Sequence, residues 1–260
     1  MRLVMASNAA VLETERRTSN IETAVRTRAV SRRVNPLAIH EAPTEGAKCC
    51  QRAERSALAA AVARRGKLHV CMKRGIDTLG AAILLAALAL PMLLVALLIR
   101  VTSRGPVLYK QERVGLNGRP FTLLKFRTMR CDAEHSTGPV WASKNDPRRT
   151  RLGAVLRRWS IDELPQLVNV LRGEMSLVGP RPERPPFVRK FSDDLPEYAL
   201  RHGVLPGLSG WAQLNGFRGD TSLVKRLDHD LYYIRNWSLP LDLYIIALTP
   251  LCIVTEKNAC

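Results

Sequence analysis

KRGIDTLGAAILLAALALPMLLVALLIRVTSRGP, residues 73–106, sets an uncharged run from Leu79 to Ile99 between Lys73/Arg74 and Arg100/Arg104. About 20 apolar residues in a helix match the hydrocarbon thickness of a bilayer. A core helix of that length in a globular domain keeps polar residues on one face, and this run has none. The stretch predicts a membrane-embedded helix. Pro91 stands near its middle, where it removes a backbone hydrogen bond and kinks or breaks the helix. Basic residues flank both ends, and basic flanks mark the cytoplasmic side. Equal flanks suggest that both ends stay on that side, the segment turning back at Pro91 as a re-entrant helix whose freed backbone groups find partners inside the protein. One straight transmembrane pass is the competing reading.

Upstream, residues 1–70 are rich in Arg, Ala, Thr and Glu, with prolines at Pro36 and Pro43 and little periodicity. Such a composition buries no core and reads as a basic, mostly disordered tail. The chain carries 40 Lys and Arg against 23 Asp and Glu, a formal charge of +17. That surplus attracts a polyanion, whether nucleic acid, an anionic membrane surface or phosphorylated substrates, and charge alone does not choose. The cysteines (Cys49, Cys50, Cys71, Cys131, Cys252 and Cys260) show no CxxC spacing and follow no secretory apolar region. A disulfide framework or zinc site is therefore not expected, and the reducing cytosolic side is.

Downstream, PVLYKQERVGLNGRPFTLLKFRTM alternates apolar and polar residues around the turn Gly115–Gly118, which reads as a hairpin of two short strands. Lys125 and Arg127, two apart, fall on one face of the second strand. NDPRRTRLGAVLRRWS then gives a turn and a basic amphipathic helix with Leu152, Val155, Leu156 and Trp159 on its apolar side, suited to a core or a membrane surface. Leu241 to Val254 is apolar but interrupted by Asp242 and Pro250, so it packs or rests at the interface.

The stretch SIDELPQLVNVLRGEMSLVGPRP, residues 160–182, places two carboxylates at the start of a helix. Leu164, Leu167, Val168 and Leu171 fall on one face, expected to be buried, and Gly173 ends the helix. Ser160 and Glu163 fit a capping box, while Pro165 belongs in a first turn that begins near Asp162. A cap explains Asp162 fully. The same position also suits phosphate chemistry, because helix N-termini hold anions and a carboxylate attacking a diphosphate gives an acyl phosphate that can pass the phosphoryl group on. That chemistry needs cations, and Lys125, Arg127, Arg181 and a magnesium ion would supply them. The spacing leaves both readings open.

The stretches from residue 73 onward, together with LPGLSGWAQLNGFRGDT, resemble the bacterial sugar transferase family, the monotopic phosphoglycosyl transferases, over about residue 73 to the C-terminus. The resemblance implies that Asp162 and Glu163 are the family's Asp-Glu dyad. Asp162 would attack the β-phosphate of a UDP-sugar, releasing UMP, and polyprenyl phosphate would take the sugar phosphate from the aspartyl intermediate. Glu163 would help bind magnesium or handle a proton, so that both dyad residues are candidate Mg2+ ligands. Lys125, Arg127 and Arg181 match positions lining the polar substrate pocket. The family's membrane helix is re-entrant and broken at a proline usually preceded by serine; here Leu90 stands before Pro91.

GFRGDTSLVKRLDHDLYYIRNWSLPLDLYIIALTP is most similar to relatives that begin exopolysaccharide repeat units with glucose 1-phosphate. UDP-glucose or UDP-galactose is the expected donor. Many such relatives carry further N-terminal transmembrane helices, and the first 70 residues here hold no apolar run long enough to span. Asp220, Asp228 and Asp230 read as ordinary turn and helix acids.

The expected fold is α+β and mainly helical: a tail (1–70), a membrane-embedded helix (71–104) and a catalytic domain (105–260) with a small hairpin and interfacial helices. It would sit on the bacterial inner membrane, with its catalytic domain on the cytoplasmic face and its lipid around it. Association as a homodimer is left open. A non-catalytic scaffold binding anionic lipid is the alternative, and it would be indifferent to Asp162→Asn. No nucleic acid is expected as a partner, since the scattered aromatics make no reading element.

Overall fold

The apolar stretch forms one helix, α1 (Lys67–Thr102). The computed structural model describes residues 60, 62, 66–131, 133, 146–195, 197–219 and 221–255; nearly all of the tail, Asp220, and cysteines 49, 50 and 260 lie outside the described residues. Helix α1 continues through Pro91, with helical residues on both sides. The expected break is thereby corrected. A proline forfeits one helical hydrogen bond and crowds the preceding turn, which bends a helix without having to end it when the flanking bonds hold.

A seam at helical spacing runs along α1 and meets the rest of the chain: Lys73, Asp77, Ala81 and Leu85 towards one end, Met92, Val95 and Ile99 towards the other. The opposite face is bare hydrocarbon, with Leu79, Leu90, Leu93, Leu97 and Val101 exposed. By length and composition α1 can cross a membrane. Yet both of its ends are bonded to the same domain. Arg74 donates to the carbonyls of Val170 (2.8 Å) and Leu171 (3.1 Å), and Arg127 donates to the Ser103 carbonyl at 2.9 Å.

The hairpin forms as expected: β1 (Leu108–Val114) pairs antiparallel with β2 (Pro120–Phe126), Leu108 opposite Phe126 and Val114 opposite Pro120. Asn117 (φ 54°) and Gly118 (φ 76°) supply the left-handed residues of the turn. Helix α2 (Arg151–Arg158) is capped by Thr150, whose hydroxyl accepts from the Gly153 amide at 2.9 Å. Gly153 lies directly on the chain after β2, where an added Cβ would stand 2.1 Å from the Thr128 carbonyl oxygen.

The helix after the carboxylates, α3 (Gln166–Arg172), begins later than expected; a separate 3-10 turn (Ile161–Glu163) holds the carboxylates. Its buried face also differs. Leu167 and Val170 are buried with Gln166 and Asn169, whereas Val168 is half-buried and Leu171 exposed. The reason is Asn169, fully buried beside the hairpin. Its Oδ1 accepts from the Leu124 amide (3.0 Å), and its Nδ2 donates to the Thr122 carbonyl (2.7 Å) and Glu174 Oε2 (2.6 Å). These bonds rotate the helix so that a polar side chain faces β2, because backbone groups left unpaired there would be costly.

A second sheet was not legible in the sequence. β3 (Ser176–Val178) pairs in parallel with β4 (Gly207–Ser209). Between them come α4 (Pro185–Asp194) and a 3-10 turn (Tyr198–Gly203). The chain closes with α5 (Trp211–Leu214), α6 (Leu223–Arg235) and α7 (Leu239–Thr255). The described residues are thus mainly helical with two small two-stranded sheets. Helix α7 is continuous through Pro250. Its buried Asp242 accepts from Lys73 (2.8 Å), Tyr233 (2.7 Å) and Trp237 (2.9 Å), fastening α7 to α1 and α6.

Candidate active site

Ser160 has a left-handed backbone (φ 53°), uncommon outside glycine, at the junction of α2 and the carboxylate turn. That conformation ends α2 and swings Ile161–Glu163 towards the end of β2. Ser160 makes no side-chain cap, so the capping box is corrected. Its hydroxyl instead accepts from Arg218 Nη1 at 3.0 Å, and the Glu163 carboxylate has turned elsewhere.

Both carboxylates are buried, Asp162 at 5% and Glu163 at 6% exposure, and their surroundings are opposite. Glu163 Oε1 accepts from Lys125 (2.9 Å), from Arg181 and from Arg218 (3.3 Å), while Oε2 accepts from Arg181 at 3.0 Å. Burial alone would raise its pKa, but Arg181, Lys125 and Arg218 together hold it well below the usual carboxylate range. No hydrogen bond from a described residue engages the Asp162 carboxylate. Burial pushes its pKa up, Lys125 opposes the rise, and the adjacent Glu163 charge adds to it. One carboxylate is therefore a fixed anion and the other an unengaged, more basic one.

The two carboxylates open onto a cleft of about 350 Å³ lined by Lys125, Arg127, Arg157, Arg181 and Arg218. Of the residues expected at the site, Lys125, Arg181, Asp162 and Glu163 come together. Arg127 lines the same cleft without bonding either carboxylate; it ties the end of α1, donating to Ser103 Oγ at 2.8 Å and lying 3.1 Å from Cys131 Sγ. Lys125 is half-buried, and its partial desolvation lowers its pKa against the pull of Glu163.

Sequence reasoning missed Arg218 and Arg157. Arg157 donates to Thr128 Oγ1 at 2.8 Å and lies close enough to Asp162 to favour its charged form. Arg218 stands in the GFRGD stretch, quoted above only for its likeness, so a signal existed; nothing in the spacing of α2 singled out Arg157. Asp230, read as an ordinary acid, is buried in an ion pair with Arg201 at 2.6 Å, and Arg201 also donates to the Arg181 carbonyl at 2.8 Å. Glu183 pairs with Arg113 (3.2 Å) and Arg226 (3.3 Å), and Arg226 further holds the Gly219 carbonyl. These pairs fasten the segments that carry Arg181 and Arg218.

Magnesium takes oxygen ligands and commonly sits between one or two carboxylates, substrate phosphates and water. Asp162, with its carboxylate unengaged, fits such a role. Both Glu163 oxygens accept from cations, so Glu163 would join only by displacing Lys125 or an arginine. Among the described residues no group of three or more His, Cys, Asp or Glu could hold an ion without substrate.

Residues 68–256 match the family model described as bacterial sugar transferase. The chain belongs to the bacterial sugar transferase family. Among its relatives, a UDP-glucose:undecaprenyl-phosphate glucose-1-phosphate transferase of Xanthomonas campestris pv. campestris is 46% identical over 75% of this chain and 41% of its own length. A protein of the same description from Caulobacter vibrioides is 48% identical over 72% of this chain and 71% of its own. A UDP-N-acetylgalactosamine-undecaprenyl-phosphate N-acetylgalactosaminephosphotransferase of Aeromonas hydrophila is 45% identical over 74% of this chain and 46% of its own. The chain thus spans less than half the length of the Xanthomonas and Aeromonas relatives, and those two are named for different sugars.

Proposed function

We propose that the protein transfers a hexose 1-phosphate from a UDP-sugar to polyprenyl phosphate, beginning a glycan repeat unit, with Asp162 as the nucleophile. The observation that carries this reading is the contrast within the dyad. Glu163 is spent on Lys125, Arg181 and Arg218, and Asp162 is left unengaged in a cationic cleft. An Asp162 oxygen attacks the β-phosphorus, the bond to the UMP oxygen breaks, and UMP leaves with the bonding electrons. Lys125, Arg157, Arg181 and Arg218 stabilise the charge that builds on the phosphoryl oxygens, and need no rearrangement to do so. Magnesium, when bound, would offset diphosphate charge beside Asp162. Relatives named for glucose and N-acetylgalactosamine leave the sugar to a panel of UDP-sugars, with UDP-glucose and UDP-galactose first.

Membrane attachment follows from the bare apolar faces. Leu90, Leu93 and Val101 of α1, Leu251 and Val254 of α7, and Trp159 after α2 are all exposed, a larger apolar area than water-facing surfaces carry. Both ends of α1 are bonded to one charged domain that cannot itself enter hydrocarbon, so we place both on the same, cytoplasmic, side. This supports the part of the sequence reading that keeps both ends on one side, over a straight pass, although the helix does not turn back at Pro91.

The test is to incubate the purified protein with UDP-sugar and magnesium, omit the lipid, and weigh the intact chain. A gain of one sugar phosphate is expected in the wild type and none in Asp162→Asn, whose fold should hold because asparagine matches aspartate in size. Near-normal turnover by Asp162→Asn would defeat Asp162 as the nucleophile and leave it a structural residue, whereas a wild type that releases no UMP would favour the lipid-binding scaffold.

A further inference from the structure

A second cleft lies on the other side of Glu163. It encloses about 330 Å³ between α1 and α7, with walls of Leu84, Leu88, Leu164, Ile246, Cys252 and Ile253. Ser160, Glu163 and Arg218 make its polar inner end beside the dyad, and Ser209, Gln213 and Thr249 also line it. Glu163 and Arg218 line both clefts, so the two cavities meet at these side chains; Asp162 opens only onto the first. The outer walls belong to the two helices whose far faces are exposed hydrocarbon.

We propose that this apolar cleft is the acceptor subsite: it takes the first isoprene units of a polyprenyl phosphate entering from the membrane and sets the phosphate against Arg218, on the opposite side from the nucleotide-sugar. The proposal rests on the transferase reading above and adds where the second substrate binds. Three observations point to this occupant. The walls are mostly hydrocarbon and belong to the helices that carry the membrane-facing surface, so a chain enters without crossing water. The inner end carries a guanidinium and a hydroxyl, a pairing that suits a phosphate oxygen. At about 30 Å³ for each water-sized group, the volume holds roughly ten such groups, or about two isoprene units of a single branched chain. A diacyl lipid would have to bring its glycerol and second chain to the same narrow end. From this subsite an acceptor phosphate oxygen forms its bond to the phosphorus of the aspartyl phosphosugar as the bond from that phosphorus to Asp162 breaks, returning a free carboxylate.

Cys252, on the cleft wall, provides a reporter. In full-length protein with Cys49, Cys50, Cys71, Cys131 and Cys260 changed to serine, the rate of Cys252 alkylation by N-ethylmaleimide is measured in detergent. At a concentration about ten times its Kd, undecaprenyl phosphate should slow alkylation about tenfold, as one-site occupancy requires. Dipalmitoyl phosphatidic acid and UDP-glucose should slow it less than about twofold. In otherwise wild-type protein, Ile253→Trp and Leu84→Trp, which fill the cleft from its two walls, should raise KM for undecaprenyl phosphate about tenfold while KM for UDP-sugar moves less than about threefold. Absence of protection, equal protection by phosphatidic acid, or an unchanged lipid KM in both variants would overturn the subsite. Failure of the wild type to release UMP would instead overturn the transferase reading, and the alkylation rates would still decide what the cleft holds.

Discussion

Replacing Glu163 by glutamine separates the charge of the dyad's second member from its shape. In the wild type one carboxylate compensates three cations, so Glu163→Gln leaves Lys125, Arg181 and Arg218 around a neutral amide. One amide oxygen can still accept, but the NH2 group meets the Arg181 guanidinium donor to donor. Removing one partner of a buried ion pair costs about 3–5 kcal/mol. Here the three cationic side chains keep 17%, 21% and 13% exposure, so water relieves part of the cost. A loss of about 2–4 kcal/mol is expected, which for a domain of this size lowers Tm by roughly 4–16 °C. Turnover should fall as well. The released cations are drawn towards Asp162, and the Glu163 charge that raises its pKa is gone, so the nucleophile becomes less basic and better paired. We expect kcat to drop about a hundredfold, equivalent to about 2.7 kcal/mol of transition-state stabilisation. Tryptophan fluorescence on heating and UMP release with saturating substrates measure the two effects. A Tm within about 1 °C of wild type together with kcat within about threefold would refute the reasoning, because it would mean that the cations do not depend on Glu163.

Asn169→Ala should cost about 3 kcal/mol, since it leaves the buried Leu124 amide and Thr122 carbonyl without their partners; urea unfolding would show it, and turnover should fall because β2 carries Lys125. His202 has its pKa lowered to about 4, by burial first and by Arg201 second, against an ordinary 6.5. The unfolded chain therefore takes up the proton first, so the stability at stake is intact above about pH 6.5 and is lost as pH falls towards 4. Between pH 7 and 5 the wild type should lose about 1–2 kcal/mol more than His202→Gln, read as a steeper fall in Tm. With native cysteines replaced, Leu68→Cys and Val101→Cys should both resist a membrane-impermeant maleimide in intact cells and both react in inverted membranes. Labelling of either from outside would establish a straight span.

What the sequence showed, and what it hid, divides by the range of the interaction responsible. The apolar run, the hairpin with its Gly-Leu-Asn-Gly turn and the amphipathic α2 were legible because periodicity and turn chemistry are local. The adjacency of Lys125 and Arg181 to Glu163 came from resemblance, since no spacing joins residues separated by 38 and 18 positions. The rotation of α3 was hidden because Asn169 reads as a polar residue on a solvated face until the hairpin's backbone is set beside it. The parallel pairing of β3 and β4 was hidden for a similar reason: strands that short carry no period, and the bonds joining them cross two intervening helical elements. The break expected at Pro91 failed differently. The local rule was right about the lost hydrogen bond, but packing on both sides of the proline keeps the helix assembled.

The net charge of the chain also acquires a local meaning. Around the dyad, Lys125, Arg181 and Arg218 bond Glu163, and Arg157 acts on Asp162, so four cations face two carboxylates before any substrate arrives. Two positive charges remain uncompensated, equal in size and opposite in sign to the charge that a nucleotide-sugar diphosphate brings. Such an excess repels itself in a partly buried cleft unless its members are tethered. The tethers are visible one layer out: Arg201 holds the Arg181 carbonyl while paired with Asp230, and Arg226 holds the Gly219 carbonyl while paired with Glu183. Buried ion pairs of this kind add little net stability, because desolvation offsets their attraction. Their physical return here is placement: each outer pair fixes the backbone of a residue at or next to an inner cation, so that the cleft can hold an excess of charge in the geometry that a diphosphate needs.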